Sequence, residues 1–160
     1  MLMLLFSVTS DLYAIETSHV VEVIPRMALR KVHHAPDCVA GLLNYRGKIV
    51  PVVDLCYLIR NTFSHFCLST RIIMVSYPHQ DYGKQYLGLI AERITETLNK
   101  PATDFVDSGI RVREVPYLGG MLMHDKGIIQ RINLKQLFAD VENTYLLIGG
   151  ESCINELSKN

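Results

Sequence analysis

Arg46 is the residue whose type and position best suit molecular recognition. It lies between Tyr45 and Gly47, on a predicted turn bounded by two apolar strands. Its planar guanidinium carries several donors, so it can hydrogen-bond the backbone or a carboxylate of a partner. The alternative is a turn cation that contacts only solvent, and the residues alone leave both interpretations open.

Asp54 also has two interpretations. It ends a run rich in Val and Ile, residues 49–54, where a phosphate-accepting aspartate lies in a doubly wound α/β domain. Such a site needs an acidic pair after the first strand to hold Mg²⁺, but only Asp11 is found there. We therefore expect Asp54 to cap a short helix over residues 55–59, and Asn133 to cap a second one over 133–138.

No motif of catalysis, metal binding or cofactor binding is recognisable. The chain has no GxSxG, HExxH, Walker or GxGxxG sequence and no CxxC pair. We expect no catalytic residue, no metal, no cofactor, and four cysteines that act as small buried hydrophobic residues. Acidic side chains near the first strands leave a paired-carboxylate site open. The side chains that could in principle ligate a metal or act as acid, base or nucleophile are Cys38, Cys56, Cys67, Cys153, His33, His34, His65, Asp11, Glu16 and Glu22.

Composition excludes several classes of protein. The 160 residues carry 16 Lys and Arg against 16 Asp and Glu, and this balance argues against nucleic-acid binding. A hydrophobic fraction of 49% excludes a disordered chain. The apolar start, residues 1–6, is too short for a signal peptide, and no apolar stretch is long enough to span a bilayer. We expect a cytoplasmic protein with no direct membrane insertion.

Short apolar runs separated by turn residues predict a mainly β protein with few helices. Pro51 should lie at a sheet edge or a bulge. The loops are expected over 26–37, 61–70 and 99–116, and the only helices over 55–59, 133–138 and in the tail. The predicted strands are 1–8, 12–16, 20–24, 49–54, 72–76, 86–90, 94–98, 117–123 and 128–132.

A weak internal repeat divides the chain into two similar halves. The block from Gly41 to Leu55 is echoed from Gly120 to Leu134, at an offset of 79 residues. Residues 13–24 are echoed by 87–98, at an offset of 74 residues. Each unit alone would form a marginal β-barrel, so we expect two units that pack apolar faces together.

The block from Gly41 to Leu55, GLLNYRGKIVPVVDL, resembles the CheW family of chemotaxis coupling proteins. The family pattern is an apolar residue followed by Asn-Leu-Arg-Gly-x-Ile-x-Pro-Val-x-Asp-Leu, and the resemblance covers roughly residues 3–138. It implies two SH3-like five-stranded β-barrels side by side. We accordingly expect one free-standing domain over residues 1–160, with approximate subdomains 12–70 and 71–138 completed by the first strand and the C-terminal tail.

The resemblance also implies a non-enzymatic adaptor. It would couple the cytoplasmic tips of methyl-accepting chemoreceptors to the regulatory domain of a CheA-type histidine kinase, in a membrane-associated array. The positions implied to contact the receptor are Arg46, Ile94 and Thr97; those implied to contact the kinase are Leu4, Thr17, Val20 and Glu22; the structural positions of the motif are Gly41, Asn44, Gly47, Pro51 and Asp54.

Two departures from the family pattern concern partner choice. Thr17 stands where an apolar residue is common, and Tyr45 replaces the usual Leu or Ile beside Arg46. Two other functions stay open: a specialised CheW-like paralogue in surface sensing, pilus motility or second-messenger control, and an enzyme with a site between the barrels. The enzyme would need a titratable group with a strongly shifted pKa in a deep cleft.

Overall fold

A computed structural model describes residues 1–145 of the chain, and the side chains of residues 1–142. The described part is mainly β, as predicted. Its strands are β1 (Leu2–Val8), β2 (Asp11–Glu16), β3 (Val20–Pro25), β4 (Val39–Tyr45), β5 (Lys48–Asp54), β6 (Arg71–His79), β7 (Gly83–Ala91), β8 (Arg93–Asn99), β9 (Leu118–His124) and β10 (Gly127–Ile132). The α-helices are α1 (Leu55–Arg60) and α2 (Leu134–Tyr145), and short 3-10 helices occupy Thr17–His19 and Ala102–Asp104.

The strands form two five-stranded sheets. The first sheet has the order β8-β1-β2-β10-β9, and the second has the order β3-β6-β7-β5-β4. The second sheet is continuous in the chain, whereas the first is assembled from residues on both sides of it. The expected boundary between residues 70 and 71 falls between β5 and β6, inside the second sheet, so it does not separate the two sheets.

The internal repeat is present in the structure, but each sheet takes strands from both copies. In the repeat, strands β1 to β5 and helix α1 correspond, in order, to β6 to β10 and α2. Replacing each strand by its counterpart turns the strand order of the first sheet into that of the second. The register agrees as well. Val52 pairs with Gly88 in parallel strands, and its equivalent, Arg131, pairs with Ala14. The two copies have therefore exchanged strands.

Three groups of buried side chains hold the sheets together. The largest lies between the sheets and includes Phe6, Ile73, Leu89 and Phe138. Two smaller groups fill the opposite face of each sheet, around Met3 in the first and around Met74 in the second. Because alternate residues of a strand point to opposite faces, β1 contributes Phe6 to the central group and Met3 to the smaller one.

Each sheet curves until side chains of its two outer regions meet. Tyr45 at the end of β4 donates a hydrogen bond to Glu22 on β3. In the first sheet, Lys126 in the β9–β10 turn donates to Glu96 on β8 at 2.6 Å. These contacts join opposite edges of each sheet, in the way that barrels remove free edges.

Several sequence predictions differ from the structure in detail. Strands β6 and β7 extend beyond the predicted 72–76 and 86–90, and α2 continues past residue 138 to Tyr145. Pro51 lies on an inner strand rather than an edge, and pairing of β5 with β7 begins at the next residue, Val52. Cys38 and Cys56 are buried as expected, but Cys67 is exposed.

The predicted C-terminal tail after Tyr145, including Cys153, lies outside the described residues. Within the described part of the chain, no helix is long and apolar enough to cross a membrane.

Candidate functional site

Arg46 occupies the tip of the β4–β5 hairpin. Tyr45 pairs with Lys48, so Arg46 and Gly47 form a two-residue turn, and both have positive φ, 51° and 81°. This is the type I′ geometry, for which Asn-Gly is the preferred sequence. Asn44 supports the turn because its Oδ1 accepts a hydrogen bond from the Gly47 N–H at 3.1 Å. A positive φ is unusual for a residue other than glycine, and Arg46 adopts one.

The Arg46 guanidinium is displayed to solvent and held at two points. Its Nη2 lies 3.4 Å from Glu22 Oε1, and its Cζ lies 5.1 Å from the Tyr45 ring centroid. The side chain nevertheless keeps 69% of its surface exposed. An exposed ion pair of this kind contributes little to stability, so the hairpin does not need the guanidinium. Most of its donors face outward, where a partner can reach them.

Tyr45 connects this guanidinium to the body of the second sheet. Its ring is buried and lies 6.1 Å from the ring of Tyr86, while its hydroxyl donates to Glu22. Burial, followed by the hydrogen bond to Glu22, raises the pKa of Tyr45, so the phenol stays protonated and keeps donating. Glu22 thus accepts from both Tyr45 and Arg46.

Tyr86 belongs to the same surface but was missed by sequence reasoning. The ammonium groups of Lys48 and Lys84 lie 4.9 and 5.7 Å from its ring centroid. The surface around Arg46 is therefore cationic and aromatic. Two tyrosines separated by 41 positions give no periodic signal, so only the pairing of β5 with β7 could reveal this cluster.

Val20 and Ile94 are half-buried at the edge of the central core. They are equivalent positions of the repeat, on β3 and β8, and both pack against the same group of buried side chains. Ile94 pairs with Phe6 across β1 and β8, and Thr97 pairs with Leu4.

The residues implied to contact different partners are not separated in space. Glu22, from the kinase set, contacts Arg46, from the receptor set. Leu4, from the kinase set, is the cross-strand neighbour of Thr97, from the receptor set. Thr17 donates to the Leu2 carbonyl at 3.1 Å, close to the start of β1. Leu4 is buried, with 9% of its surface exposed, whereas Glu22 and Arg46 are both accessible, so partners that use Glu22 and Arg46 would meet at neighbouring surfaces.

The remaining positions of the sequence motif have structural roles. Gly41 lies at a bulge in β4 with φ of 151°, and a Cβ there would be 2.6 Å from the Arg30 carbonyl oxygen. Asp54 is buried and caps α1 as predicted: its Oδ1 accepts from the Cys56 and Tyr57 N–H groups at 2.9 and 3.4 Å. Its Oδ2 accepts from the Ser64 N–H and hydroxyl at 2.9 and 2.8 Å.

A second cation–glutamate pair occupies the equivalent place in the other sheet. Glu96 is the repeat equivalent of Glu22, and it accepts from Lys126 at the tip of the β9–β10 hairpin. The hydrogen bond and the charge of Lys126 lower the pKa of Glu96. The sequence comparison of these turns indicates only a polar loop, because Asp125, not Lys126, is aligned with Arg46.

The polar clusters do not assemble a recognisable catalytic or metal site. Cys56 donates to Glu92 Oε1 at 3.1 Å, and His65 Nδ1 lies 3.4 Å from Glu92 Oε2. Burial raises the pKa of the Cys56 thiol, so this sulfur is a neutral donor and not a nucleophile. Over residues 1–145, no group of three His, Cys, Asp or Glu could hold a metal ion.

The fold and the hairpin motif agree with comparisons to known proteins. The sequence model of the CheW-like domain matches residues 2–142. The chain belongs to the CheW-like family. This assignment confirms the resemblance found in the sequence around Arg46.

Two relatives of the CheW-like chain are informative. One is the chemotaxis protein CheW of Klebsiella aerogenes, 23% identical over 108 residues, a match that covers 64% of this chain and 62% of that protein. The chain thus spans less than two thirds of this curated relative. The other is the crystal structure of the scaffolding protein TtCheW from Thermoanaerobacter tengcongensis, with a TM-score of 0.71 and 26% identity, covering 83% of this chain and 84% of that one.

Proposed function

We propose that this CheW-like chain is a non-enzymatic adaptor that couples the tips of methyl-accepting chemoreceptors to a CheA-type histidine kinase. The proposal places it in the cytoplasm, within receptor arrays at the membrane. Membership of a family that includes a scaffolding protein supports an adaptor role. The observation that carries the proposal is the display of Arg46 at a hairpin tip, exposed and not needed for folding.

Association is the mechanism that the surface around Arg46 favours. A receptor segment would place apolar side chains near Ile94 and Thr97, while Arg46 fixes its orientation by hydrogen bonds. The kinase regulatory domain would contact Val20 and Glu22, with Leu4 and Thr17 beside them. Two moderate interfaces joined on one scaffold strengthen the assembly, because the second contact then forms at a high effective concentration.

The proposal is tested by replacing Arg46 with Asn. Asn suits the positive φ of a type I′ turn better than Arg does, so Arg46→Asn removes the guanidinium without weakening the hairpin. We expect a loss of about 2 kcal/mol of binding free energy, roughly 30-fold in receptor affinity, as for other side chains that become buried at the centre of an interface. The measurement is co-sedimentation with receptor-bearing membranes, with and without the kinase.

Two further variants complete the experiment. Arg113→Asn removes an exposed arginine in the segment between β8 and β9 and should leave receptor binding unchanged. Glu22→Gln keeps an acceptor for Tyr45 but removes the charge, and we expect it to weaken kinase recruitment. Since Glu22 contacts Arg46, both partners are measured for each variant. Folded wild-type protein that binds neither partner would show that the adaptor function is wrong.

A further inference from the structure

Two loops on the side of the second sheet form a surface that the adaptor function does not use. We call it the basic loop pair; it consists of residues 26–38, between β3 and β4, and residues 61–70, between α1 and β6. An open cavity of about 390 Å³ between the loops is lined by Arg26, Lys31, Phe63 and Phe66, among other residues. None of the proposed receptor or kinase contacts lies in it.

The charge of this surface is mainly positive. The two loops carry three cations, Arg26, Arg30 and Lys31, against one carboxylate, Asp37, whereas the whole chain balances 16 acidic against 16 basic residues. Arg26 and Lys31 form no ion pair among the described residues, and Arg30 and Lys31 are exposed.

The carboxylates at the cavity wall are already bonded. Asp54 accepts four hydrogen bonds through its two oxygens, and Asp37 accepts one from the Tyr57 hydroxyl at 3.1 Å. Asp54 is buried, and its oxygens are occupied by these bonds. Arg26 and Lys31 are the cations that line the cavity.

The same surface exposes large apolar side chains. Phe66 and Leu68 keep 72% and 96% of their surface exposed, and Phe63 keeps 59%. Arg26 links them to the cations, because its Cζ lies 5.1 Å from the Phe66 ring centroid. Three exposed hydrophobic residues within six positions are uncommon on a soluble surface and typically mark an interaction site.

We propose that the basic loop pair binds a third partner, an acidic peptide segment of another protein that carries at least one large apolar side chain. The apolar side chain would enter the cavity against Phe63 and Phe66. Carboxylates beside it would reach Arg26 and Lys31, which complement them in charge. A peptide fits this surface better than a lipid bilayer does, because a cavity of about 390 Å³ can receive a single side chain.

The test uses the full chain and a fluorescein-labelled peptide of alternating Glu and Leu residues around one Phe. Fluorescence polarisation should show binding that weakens as salt rises, since exposed charges are screened. Lys31→Glu and Leu68→Ser should each weaken binding about tenfold or more. Both side chains are exposed, so neither change should unfold the protein.

Matched controls lie outside the two loops, in the segment between β8 and β9. Arg113→Glu and Val106→Ser replace an exposed cation and an exposed apolar residue outside the basic loop pair, and they should leave peptide binding unchanged. A peptide with Lys in place of Glu should not bind. Arg46→Asn should bind the acidic peptide like the wild type, which separates this surface from the proposed receptor contact.

Three results would overturn the proposal. Equal binding of the peptide by wild type and by Lys31→Glu would show that the cations do not recognise it. Loss of binding in Arg46→Asn would place the peptide at the adaptor surface instead. Absence of peptide binding, with co-sedimentation of the protein on phosphatidylglycerol vesicles, would assign the surface to a membrane.

Discussion

Asp54 joins two parts of the chain through one buried carboxylate. Its Oδ1 accepts from the first turn of α1, and its Oδ2 accepts from Ser64 in the loop that follows the helix. The helix and the loop are therefore positioned by the same side chain. The sequence motif predicts a helix cap at this position, but the second pair of hydrogen bonds, ten residues away, has no sequence signal.

We predict that Asp54→Ala lowers the free energy of unfolding by about 2 to 4 kcal/mol. Loss of a helix cap costs about 1 kcal/mol, and the Ser64 N–H would lose its acceptor in a partly buried place, which costs about as much again or more. Urea unfolding measures the change. Asn133→Ala is the matched control: Asn133 caps α2 through one exposed bond to the Gln136 N–H, at 3.1 Å, so its removal should cost only about 1 kcal/mol. Equal losses for the two variants would contradict the role of Ser64.

Cys67 provides a prediction about pH. Hydrogen bonds with Ser69 and Thr70 lower the pKa of its thiol to about 7. Because the thiolate is the reactive form, alkylation by iodoacetamide should rise through pH 7 in a Cys153→Ser background, with Cys38 and Cys56 protected by burial. Ser69→Ala removes one of the two hydroxyl partners and should move the midpoint upward. A midpoint at the ordinary thiol value, about 8.5, in the Cys153→Ser protein with Ser69 intact would disprove the hydrogen bonds of Cys67 with Ser69 and Thr70.

The site was predictable where adjacent residues define it and unpredictable where strands assemble it. The hairpin tip with Arg46 follows from Asn44, Gly47 and the apolar runs around them. The partnership of Tyr45 with Glu22 does not, because it depends on the meeting of β4 with β3 at opposite edges of a curved sheet. Glu22 is half-buried and accepts two hydrogen bonds, which no pattern in the sequence indicates.

At the scale of the elements, the edge strands β4 and β9 are protected in equivalent ways. Arg30 exchanges two backbone hydrogen bonds with Leu42 on β4, at 3.0 and 2.8 Å. Val106 exchanges two with Met121 on β9, both at 2.8 Å, and Met121 is the repeat equivalent of Leu42. A single bridge from a loop thus covers the outer edge of each sheet, which limits pairing with other chains.

Gly41 makes the first of these bridges possible, and we predict that Gly41→Ala disrupts it. A Cβ would lie 2.6 Å from the Arg30 oxygen and 2.9 Å from the Leu29 Cβ, and the backbone has a φ of 151° that alanine rarely adopts. We expect a loss of about 3 kcal/mol in unfolding free energy and faster amide exchange at Leu42.

Gly47→Ala is the control for this prediction. Gly47 also has a positive φ, 81°, but no atom lies within 4 Å of the place that an alanine Cβ would take, so only the conformational cost of about 1 kcal/mol applies. Similar losses for the two variants would show that the close approach of Arg30 is relaxed in solution.

The order of the elements followed from the sequence better than their lengths did, although β4 is absent from the predicted strand ranges. Short apolar runs indicate that a strand exists, but β6 and β7 continue as a paired ribbon through polar residues as far as His79 and Gly83. That extension is stabilised by backbone pairing, which the side-chain pattern does not record. Helix α2 likewise continues to Tyr145 because Phe138 and Val141 pack on the central core.

At the scale of the whole molecule, the repeat predicted two similar units but not the exchange of strands between them. Offsets of 74 and 79 residues fit two separate barrels as well as an exchanged pair, because the offsets describe similarity and not pairing. The exchange becomes visible only in the ladders that join the two copies, β1 with β8, β2 with β10, β3 with β6 and β5 with β7. It makes each sheet depend on both halves of the chain.

The exchange predicts how the protein responds to being cut in the exposed loop between α1 and β6. A fragment of residues 1–66 keeps β3, β4 and β5 but lacks β6 and β7, which join β3 to β5 in the second sheet. A fragment of residues 67–160 keeps β8, β9 and β10 but lacks β1 and β2, which join them in the first sheet. Each fragment alone would lack central strands and expose apolar faces, so neither should show a cooperative unfolding transition.

Mixed in equal amounts, the fragments should restore the native circular dichroism spectrum and a single transition whose midpoint rises with protein concentration. Cooperative unfolding of the isolated 1–66 fragment would instead mean that each repeat folds as its own barrel and that the strand exchange is not what holds the two sheets together.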